Sequence, residues 1–495
     1  MSGEINKKIV FATKWSAFAE ISAKLVMPIV SIILARLLTP DAFGVVATLT
    51  MIITFAEIFT DAGFQKYIIQ HDFKDEQDFD ESTNVAFWSN LTVSFVLWGI
   101  IILFADSLAT LVGNPGYGGV LIVACISIPL AAFSSIQFAV YKRQLDFKTL
   151  FKVRIISLSI PILVTIPLAI RFHSYWALVI GTIVQNLANA VCLTVFSSWK
   201  PRMYYSFDKL KEMISFTIWS MIEAVSIWAT AYLDVFVVGR VLSSYYLGLY
   251  KTSSTIVGQI MGLVTAITTP VLFSALSKLQ TDKEEFKKLF FSFQKYVALL
   301  VIPMGVGIYC YSDLVTRLLL GEQWLETSGF IGLWGLTSSV TIVLSHYSSE
   351  VYRAQGKPKL SVLAQVLHLI VLIPAVYIAV QYSYKTLYIT RSLVRFEGII
   401  VDLIIMYTMI HISPWQMLKN IAPCCLATLI MAGGAYLLIH VSPNIAYQLG
   451  TIIICIGIYV GVICLFPKER TIVLDIANKY FKHKKTNRSN LRRCQ

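Results

Sequence analysis

The sequence ARLLTPDAFGVV, residues 35–46, recurs in altered form as GRVLSSYYLGLY, residues 239–250. A second match in the same order joins VYKRQ at 140–144 to VYRAQ at 351–355. Self-similarity at similar spacing indicates a duplicated architecture, because each copy of a structural unit carries the same signals. The chain is therefore predicted to consist of two related halves.

Around the repeat, the chain is a series of apolar segments. Of its 495 residues, 56% are hydrophobic and 14% are charged, and the mean hydropathy is +0.69, whereas soluble domains carry about 25% charged residues. A membrane-spanning helix needs roughly 20 apolar residues. The fourteen predicted spans are 14–37, 41–62, 84–106, 118–140, 150–170, 174–197, 213–238, 246–271, 290–311, 328–351, 360–381, 386–410, 416–439 and 445–466. We predict an all-α polytopic membrane protein, and a water-soluble enzyme is excluded.

The two copies of the repeat lie six spans apart, so they have the same orientation in the membrane. Parallel repeats are related by an axis along the membrane normal, and transporters built from them place the substrate between the halves. We predict a six-helix N-lobe at 1–207, a six-helix C-lobe at 208–412, an added helix pair at 413–466 and a basic tail at 467–495.

Basic residues orient these helices. Lys and Arg near span ends mark the cytoplasmic side, and most of the 41 Lys and Arg residues lie on the side of both termini. The opposite side carries Arg36, Arg171, Arg240, Arg317 and Lys385. We therefore predict cytoplasmic termini. The tail supplies much of the net charge of +13 and is interpreted as an anchor on anionic headgroups, because no nucleic-acid-binding module accompanies it.

Three features argue against other classes of protein. The first apolar stretch is interrupted by Glu20 and Lys24, which is atypical of a cleavable signal. The eight cysteines have no metal-ligand spacing, so neither a disulfide framework nor a metal site is predicted. The longest loop, residues 65–83, leaves no room for a catalytic domain, and we expect a protein that is not an enzyme.

Charged side chains inside the spans mark the candidate site, since a charge at the helix centre costs about 2.5–3.5 kcal/mol unless it faces protein or a wet cavity. Three polar stripes at helical spacing are Ser16, Glu20, Lys24 and Ser31 on span 1; Ser220, Glu223, Thr230 and Asp234 on span 7; and Arg391, Arg395, Gly398 and Asp402 on span 12. We expect these stripes to line a cavity. The alternative is structural ion pairing, as between Glu20 and Lys24 or between Arg395 and an acid on a neighbouring helix.

A cavity rich in cations suits an anionic substrate, because Arg and Lys bind phosphate oxygens. A cation transporter needs an uncompensated carboxylate instead. The predicted substrate-binding residues are Lys24, Arg391, Arg395, Arg154, Lys251 and Lys295, of which the last three either face the cavity or extend to the interface. Coupling to H⁺ or Na⁺ is assigned to Glu20, Glu223, Asp234 and Asp402, with Glu57, Asp61, His346, Glu350 and His368 as weaker candidates.

Four stretches resemble one family: residues 35–44, YLDVFVVGR at 232–240, LGLY at 247–250 and GEQW at 321–324. They resemble the Wzx-type polysaccharide exporters of the MOP flippase superfamily, which also contains MATE drug antiporters and lipid II flippases. The resemblance implies a flippase that moves undecaprenyl-pyrophosphate-linked oligosaccharide units of O-antigen, capsule or exopolysaccharide across the bacterial inner membrane by alternating access. The positions that carry over are expected to hold the fold: Arg36, Gly44, Asp234, Arg240 and Gly248.

The resemblance also implies a monomer that works among membrane lipids, beside a polysaccharide polymerase and a chain-length regulator, with no cofactor and no nucleic acid. Two alternatives stay open. One is a MATE-like antiporter of cations or drugs. The other is a membrane polysaccharide polymerase or ligase, which needs catalytic side chains on a substantial periplasmic loop, whereas the longest candidate, residues 312–328, is short.

Overall fold

The chain is built from helices, as the apolar spans predict. Within the described residues there is no β-strand, so the predicted all-α class is confirmed. The computed structural model describes the backbone of residues 2–61, 63–197 and 199–474, and the side chains there except those of residues 2–14, 17, 61, 215–220, 222 and 223.

The α-helices of the described part are, in chain order, α1 Ser2–Leu37, α2 Pro40–Asp61, α3 Phe64–Gln70, α4 Glu76–Leu103, α5 Ala105–Leu111, α6 Gly118–Ala124, α7 Ser127–Arg143, α8 Phe147–Ile160, α9 Ile166–Phe172, α10 Trp176–Phe196, α11 Phe207–Val241, α12 Ser244–Lys278, α13 Lys283–Cys310, α14 Ser312–Leu319, α15 Ser328–Thr341, α16 Ser348–Ala354, α17 Lys359–Val380, α18 Tyr384–Ile405, α19 Pro414–Ile439 and α20 Ile445–Ile463. A further helical segment covers 467–474. Single π-helical turns, which often accompany functional sites, occur at Pro161–Thr165, Ile342–His346 and Met406–Ile410.

Thirteen helical stretches in the described part are long and apolar enough to cross a membrane. The remaining predicted span, 386–410, is the 22-residue helix α18. It falls outside that group because it carries the charged side chains Arg391, Arg395, Glu397 and Asp402. The protein is thus a multi-pass membrane protein in which one of the predicted spans is exceptionally polar.

The first of two compact units contains the described residues of Met1–Ala266, Leu319–Thr327 and Leu369–Val394. In it α7 packs on α4 and α10, α1 on α8, and α2 on α11. At the start of α11, Lys209 Nζ lies 2.6 Å from an Asp78 oxygen and 3.1 Å from a Glu81 oxygen. Partial burial alone would lower the pKa of Lys209, but these carboxylates raise it above its ordinary value.

The second unit contains the described residues of Ile267–Leu318, Ser328–His368 and Arg395–Gln495. In it α13 packs on both α15 and α19, and α19 packs on α20. The Asp282 side chain caps α13 by accepting hydrogen bonds from the backbone N–H groups of Glu284 and Glu285 at 3.2 and 3.1 Å. The lobe boundaries at 207 and 412 stay predictions.

The two copies of the repeat meet inside the first unit. A Cβ placed on Gly44 of α2 would lie 1.8 Å from the carbonyl oxygen of Ser244, and one on Gly248 of α12 would lie 1.9 Å from that of Pro40. Each helix start therefore approaches the other through a glycine at the equivalent position. Glycine is needed here for a close backbone approach, which explains why the sequence repeats it.

The GEQW stretch holds the end of α1. The Gln323 side-chain amide donates hydrogen bonds to the carbonyls of Ala35 and Leu38 at 2.8 and 3.0 Å, and Trp324 Nε1 donates to Ala35 at 2.8 Å. Carbonyls at a helix C-terminus lack intrahelical partners. These bonds satisfy them, so this motif is part of the architecture.

Candidate functional site

A polar seam joins α1 to α12. Ser31 lies 3.1 Å from the side-chain nitrogen of Gln259, and the Lys24 amine lies beside Gly262, where an added Cβ would be 3.9 Å away. Lys24 and Ser31 are seven residues apart, so they share one face of α1. The span 1 stripe thus faces protein at these two positions, whereas Glu20 is exposed.

A small cavity adjoins this seam. Its volume is about 160 Å³, and its polar lining includes Ser31, Thr50, Tyr232, Lys251 and Thr255, from α1, α2, α11 and α12. Lys251 Nζ lies 4.7 Å from the centroid of the Tyr232 ring, which is cation–π distance. Lys251 therefore faces a cavity between helices of both copies of the repeat.

Asp234 and Arg391 form a buried ion pair. Arg391 Nε lies 3.0 Å from Asp234 Oδ2 and donates a hydrogen bond to the Tyr250 hydroxyl at 3.1 Å. That hydroxyl donates to Asp234 Oδ2 at 2.6 Å, and the Val235 N–H donates to Oδ1 at 2.8 Å. Arg391, which was predicted to bind substrate, therefore compensates the charge of Asp234, which was predicted to couple ions.

Arg395, one turn further along α18, has neutral partners in the second unit. Its guanidinium carbon lies 4.0 Å from the centroid of the Trp334 ring, and Nη1 donates to the Ser338 hydroxyl at 2.6 Å. A guanidinium at this distance over an indole ring makes a cation–π contact. Arg395 is thus positioned by α15.

Asp402 lies near the end of α18 and is half-buried. The hydroxyl of Tyr352 donates to its Oδ1 at 3.0 Å, and the Ser345 hydroxyl donates to Oδ2. Ser345 belongs to the π-helical turn after α15. Two hydroxyl donors satisfy a carboxylate without neutralising it, which keeps Asp402 a candidate for coupling.

Arg154 lines a different cavity of the first unit, with a volume of about 430 Å³. The cavity lies among α2, α3, α7, α8 and α10, and its charged lining also includes Glu57 and Lys142. Gln65 and Asn189 add amide groups. Arg154 and Lys251 therefore line two different cavities of the first unit.

Lys295 forms an ion pair in the second unit, with Nζ 2.8 Å from Glu469 Oε1. Glu469 lies in the segment after α20, which the sequence assigns to the basic tail. Lys295 therefore takes part in a structural ion pair. This is the role that was the alternative above for Glu20, Lys24 and Arg395.

The remaining candidates are placed as follows. The Glu223 and Asp61 side chains lie outside the described residues. His368 Nδ1 lies 2.9 Å from Glu397 Oε2, Glu350 pairs with Arg353 at 2.9 Å, and His346 Nε2 lies 3.3 Å from the Thr269 hydroxyl. Among the described side chains, no group of three or more His, Cys, Asp and Glu residues is placed to hold a metal ion.

Sequence reasoning missed several partners of the predicted site residues, namely Tyr250, Trp334 and Glu469, which contact charged groups, and Gln259, which contacts Ser31. Two of them could have been found. Tyr250 ends the second copy of the repeat, and Gln259 follows Lys251 and Thr255 at intervals of four residues, which places the three on one helix face.

The fold defines the class of protein. It matches the lipid II flippase MurJ in an inward closed conformation, with a TM-score of 0.74 and 15% identity, over 93% of this chain and 100% of the other. It matches an inward-facing multidrug resistance MATE family transporter of the MOP superfamily with a TM-score of 0.55 and 14% identity, over 82% and 98%. The chain is a polytopic membrane protein whose fold is similar to that of these two proteins.

Residues 33–329 match the family of polysaccharide biosynthesis proteins, and the chain belongs to that family. It is 24% identical over 385 residues to an uncharacterized membrane protein in the cps region of Klebsiella pneumoniae, which is 75% of this chain and 76% of the relative. It is 23% identical over 308 residues to the succinoglycan biosynthesis transport protein ExoT of Rhizobium meliloti (strain 1021), 62% of each. The resemblance found in the motifs is confirmed.

Proposed function

We propose that this membrane transport protein of polysaccharide biosynthesis translocates undecaprenyl-pyrophosphate-linked oligosaccharide units across the bacterial inner membrane, with both termini in the cytoplasm. The proposal rests on the family, on the flippase-like fold and on the charge of the small cavity. We also propose that the protein acts as a monomer. It receives its substrate from the cytoplasmic leaflet and releases it beside a polymerase and a chain-length regulator.

The observation that carries the proposal is the contrast between Lys251 and Asp234. Within the described residues, Lys251 faces the cavity without an ion pair, whereas Asp234 is compensated by Arg391. The lining of the cavity therefore carries the positive charge of Lys251. A cation or drug antiporter needs the opposite arrangement in its binding cavity, since binding a cation in a buried site requires an uncompensated carboxylate, and Asp402 is not part of this lining.

The proposed path begins with the diphosphate, whose oxygens accept charge-assisted hydrogen bonds from Lys251 and Lys24. The polyprenyl tail stays in lipid, where burying its apolar surface costs nothing. The cavity of about 160 Å³ is smaller than the roughly 300–1,000 Å³ of small-molecule sites. The helices around it must therefore separate before a glycan enters, as alternating access requires.

Coupling to H⁺ or Na⁺ is part of the proposal. Asp402 is the favoured group, because its two hydroxyl donors leave its charge uncompensated. Asp234 would take part only when its contact with Arg391 opens. Glu20 and Glu223 are proposed as additional coupling groups.

The test is a strain that lacks this gene. We expect lipid-linked oligosaccharide to accumulate in its inner membrane and surface polysaccharide to be lost, and a plasmid-borne copy to reverse both. A Lys251→Met copy, expressed at the same level, should fail to reverse them. Unchanged lipid-linked pools, together with a new sensitivity to cationic drugs, would favour the antiporter instead.

A further inference from the structure

A second cationic cavity lies in the second unit, where α13 and α19 begin and the segment 467–474 follows α20. Its volume is about 800 Å³, within the roughly 300–1,000 Å³ of small-molecule sites. Five lysines line it: Lys287, Lys288, Lys295, Lys419 and Lys468. The transport path proposed above does not use this cavity, although Lys295, which lines it, is one of the residues that the sequence predicts to bind substrate.

Part of this charge is compensated. Lys295 and Glu469 are 15% and 4% exposed at the side chain and lie 2.8 Å apart, and Lys288 pairs with Glu285 at the surface. Within the described residues, the other three lysines form no salt bridge. The acidic residues of the lining are Glu284 and Glu469, so the five lysines leave the cavity with an excess of positive charge, contributed by α13, α19 and the segment after α20.

The lining is also continuous with an apolar surface. Phe291 and Phe466 line the cavity beside the lysines. On α19, the stripe that carries Lys419 and Pro423 continues at helical spacing to Leu426 and Ile430, which are 51% and 53% exposed. Exposed apolar side chains on a membrane-spanning helix face lipid. A ligand that matches both parts has an anionic head and an apolar tail.

We propose that this cavity binds the phosphate headgroup of an anionic phospholipid from the surrounding bilayer, with its acyl chains along Leu426 and Ile430. Basic pockets between transmembrane helices on the cytoplasmic side bind such headgroups, and the charge distribution predicts that these helix ends are cytoplasmic. The bound phosphate connects Lys287, Lys419 and Lys468, which are far apart in sequence. The lipid is a resident ligand, distinct from the transported substrate.

The test is lipid titration of the purified full-length protein by native mass spectrometry, with phosphatidylglycerol and with zwitterionic phosphatidylethanolamine of the same acyl chains. The cavity variant is Lys287→Gln with Lys419→Gln. The matched control is Lys278→Gln with Lys359→Gln, which removes the same charge from exposed lysines outside the cavity. Each lysine near an anionic lipid contributes roughly a factor of five, so the cavity variant should bind phosphatidylglycerol about 25-fold more weakly than the control.

Lys468→Gln alone should weaken binding about fivefold, and it serves if the double variant does not fold. Equal phosphatidylglycerol affinity in cavity and control variants would overturn the proposal, as would equal affinity for phosphatidylethanolamine. A further arm adds inorganic phosphate: displacement of the lipid at equal concentration would assign the cavity to free phosphate and would also overturn it. Because no transport is measured, these outcomes are independent of the proposed function.

Discussion

The Arg391 guanidinium lies 3.0 Å from the Asp234 carboxylate, although the two residues are 157 positions apart in the sequence. The Tyr250 hydroxyl bonds to both side chains, so the cluster joins α11, α12 and α18. A buried charge that loses its partner pays its full desolvation cost. The cluster therefore stabilises the packing of these helices beside the Lys251 cavity. The role of Asp234 in this structure is to hold that packing.

Removing one partner of this pair should destabilise the protein strongly. We expect Arg391→Met to lower the free energy of unfolding by about 3–5 kcal/mol, measured as a lower thermal unfolding midpoint in detergent. The combination with Asp234→Leu should recover most of the loss, because no charge is then left buried. A double variant as unstable as the single one would show that the ion pair is not the stabilising feature.

The glycine crossing predicts a difference between positions on one helix. Gly248→Ala places a Cβ 1.9 Å from a backbone oxygen, whereas nothing lies within 4 Å of a Cβ on Gly258 of the same helix. Overpacking costs about 1–3 kcal/mol or more, while Gly→Ala in an open helical position gains roughly 0.5–1 kcal/mol. Unfolding midpoints should therefore fall for Gly248→Ala and for Gly44→Ala, and rise or stay for Gly258→Ala. Similar midpoints in all three variants would contradict the close approach.

Lys251 should matter for transport more than for folding. We expect Lys251→Met to reduce the transport rate about tenfold or more, since one charge-assisted hydrogen bond contributes about 1.5–3 kcal/mol. Lys251→Arg should retain part of the rate, because the charge remains. The control is Lys278→Met at the exposed end of the same helix, and equal rates in both Met variants would remove Lys251 from the site.

Arg395 and Trp334 should be energetically coupled. Their stacking at 4.0 Å predicts a coupling free energy of about 0.5–2 kcal/mol in a double-mutant cycle of Arg395→Gln and Trp334→Leu, measured by unfolding. Arg395→Lys should lose the bond to Ser338 but keep its charge. Strictly additive single effects would mean that the stacked contact contributes nothing.

Much of the fold could be predicted from the sequence because it depends on local signals. Apolar length placed the spans, and the repeat aligned Gly44 with Gly248 as positions that hold the fold, which the structure shows at a close approach of two helices. Helical spacing also placed Lys24 and Ser31 on the face that meets α12. Such signals lie within one helix or recur at a fixed interval.

The pairing of charges could not be predicted in the same way. Periodicity shows which residues share a helix face, but it does not show which helix packs against that face. The contact of Asp234 with Arg391 could therefore not be predicted from periodicity. Lys295 and Glu469 are 174 positions apart, and one of them lies in a segment interpreted only as a headgroup anchor. The predicted polarity of α18 was correct, but its partners depend on tertiary packing.

Translocation by the purified protein in sealed vesicles is the most direct test of the proposed flippase activity. The vesicles would contain a lipid-linked oligosaccharide with an undecaprenyl pyrophosphate carrier, and exposure of its glycan on the far leaflet would be followed with an added glycan-specific enzyme. We predict a rate well above that of protein-free vesicles, reduced about tenfold or more in Lys251→Met and unchanged in Lys278→Met. A wild-type rate equal to that of protein-free vesicles would show that the protein does not translocate this substrate.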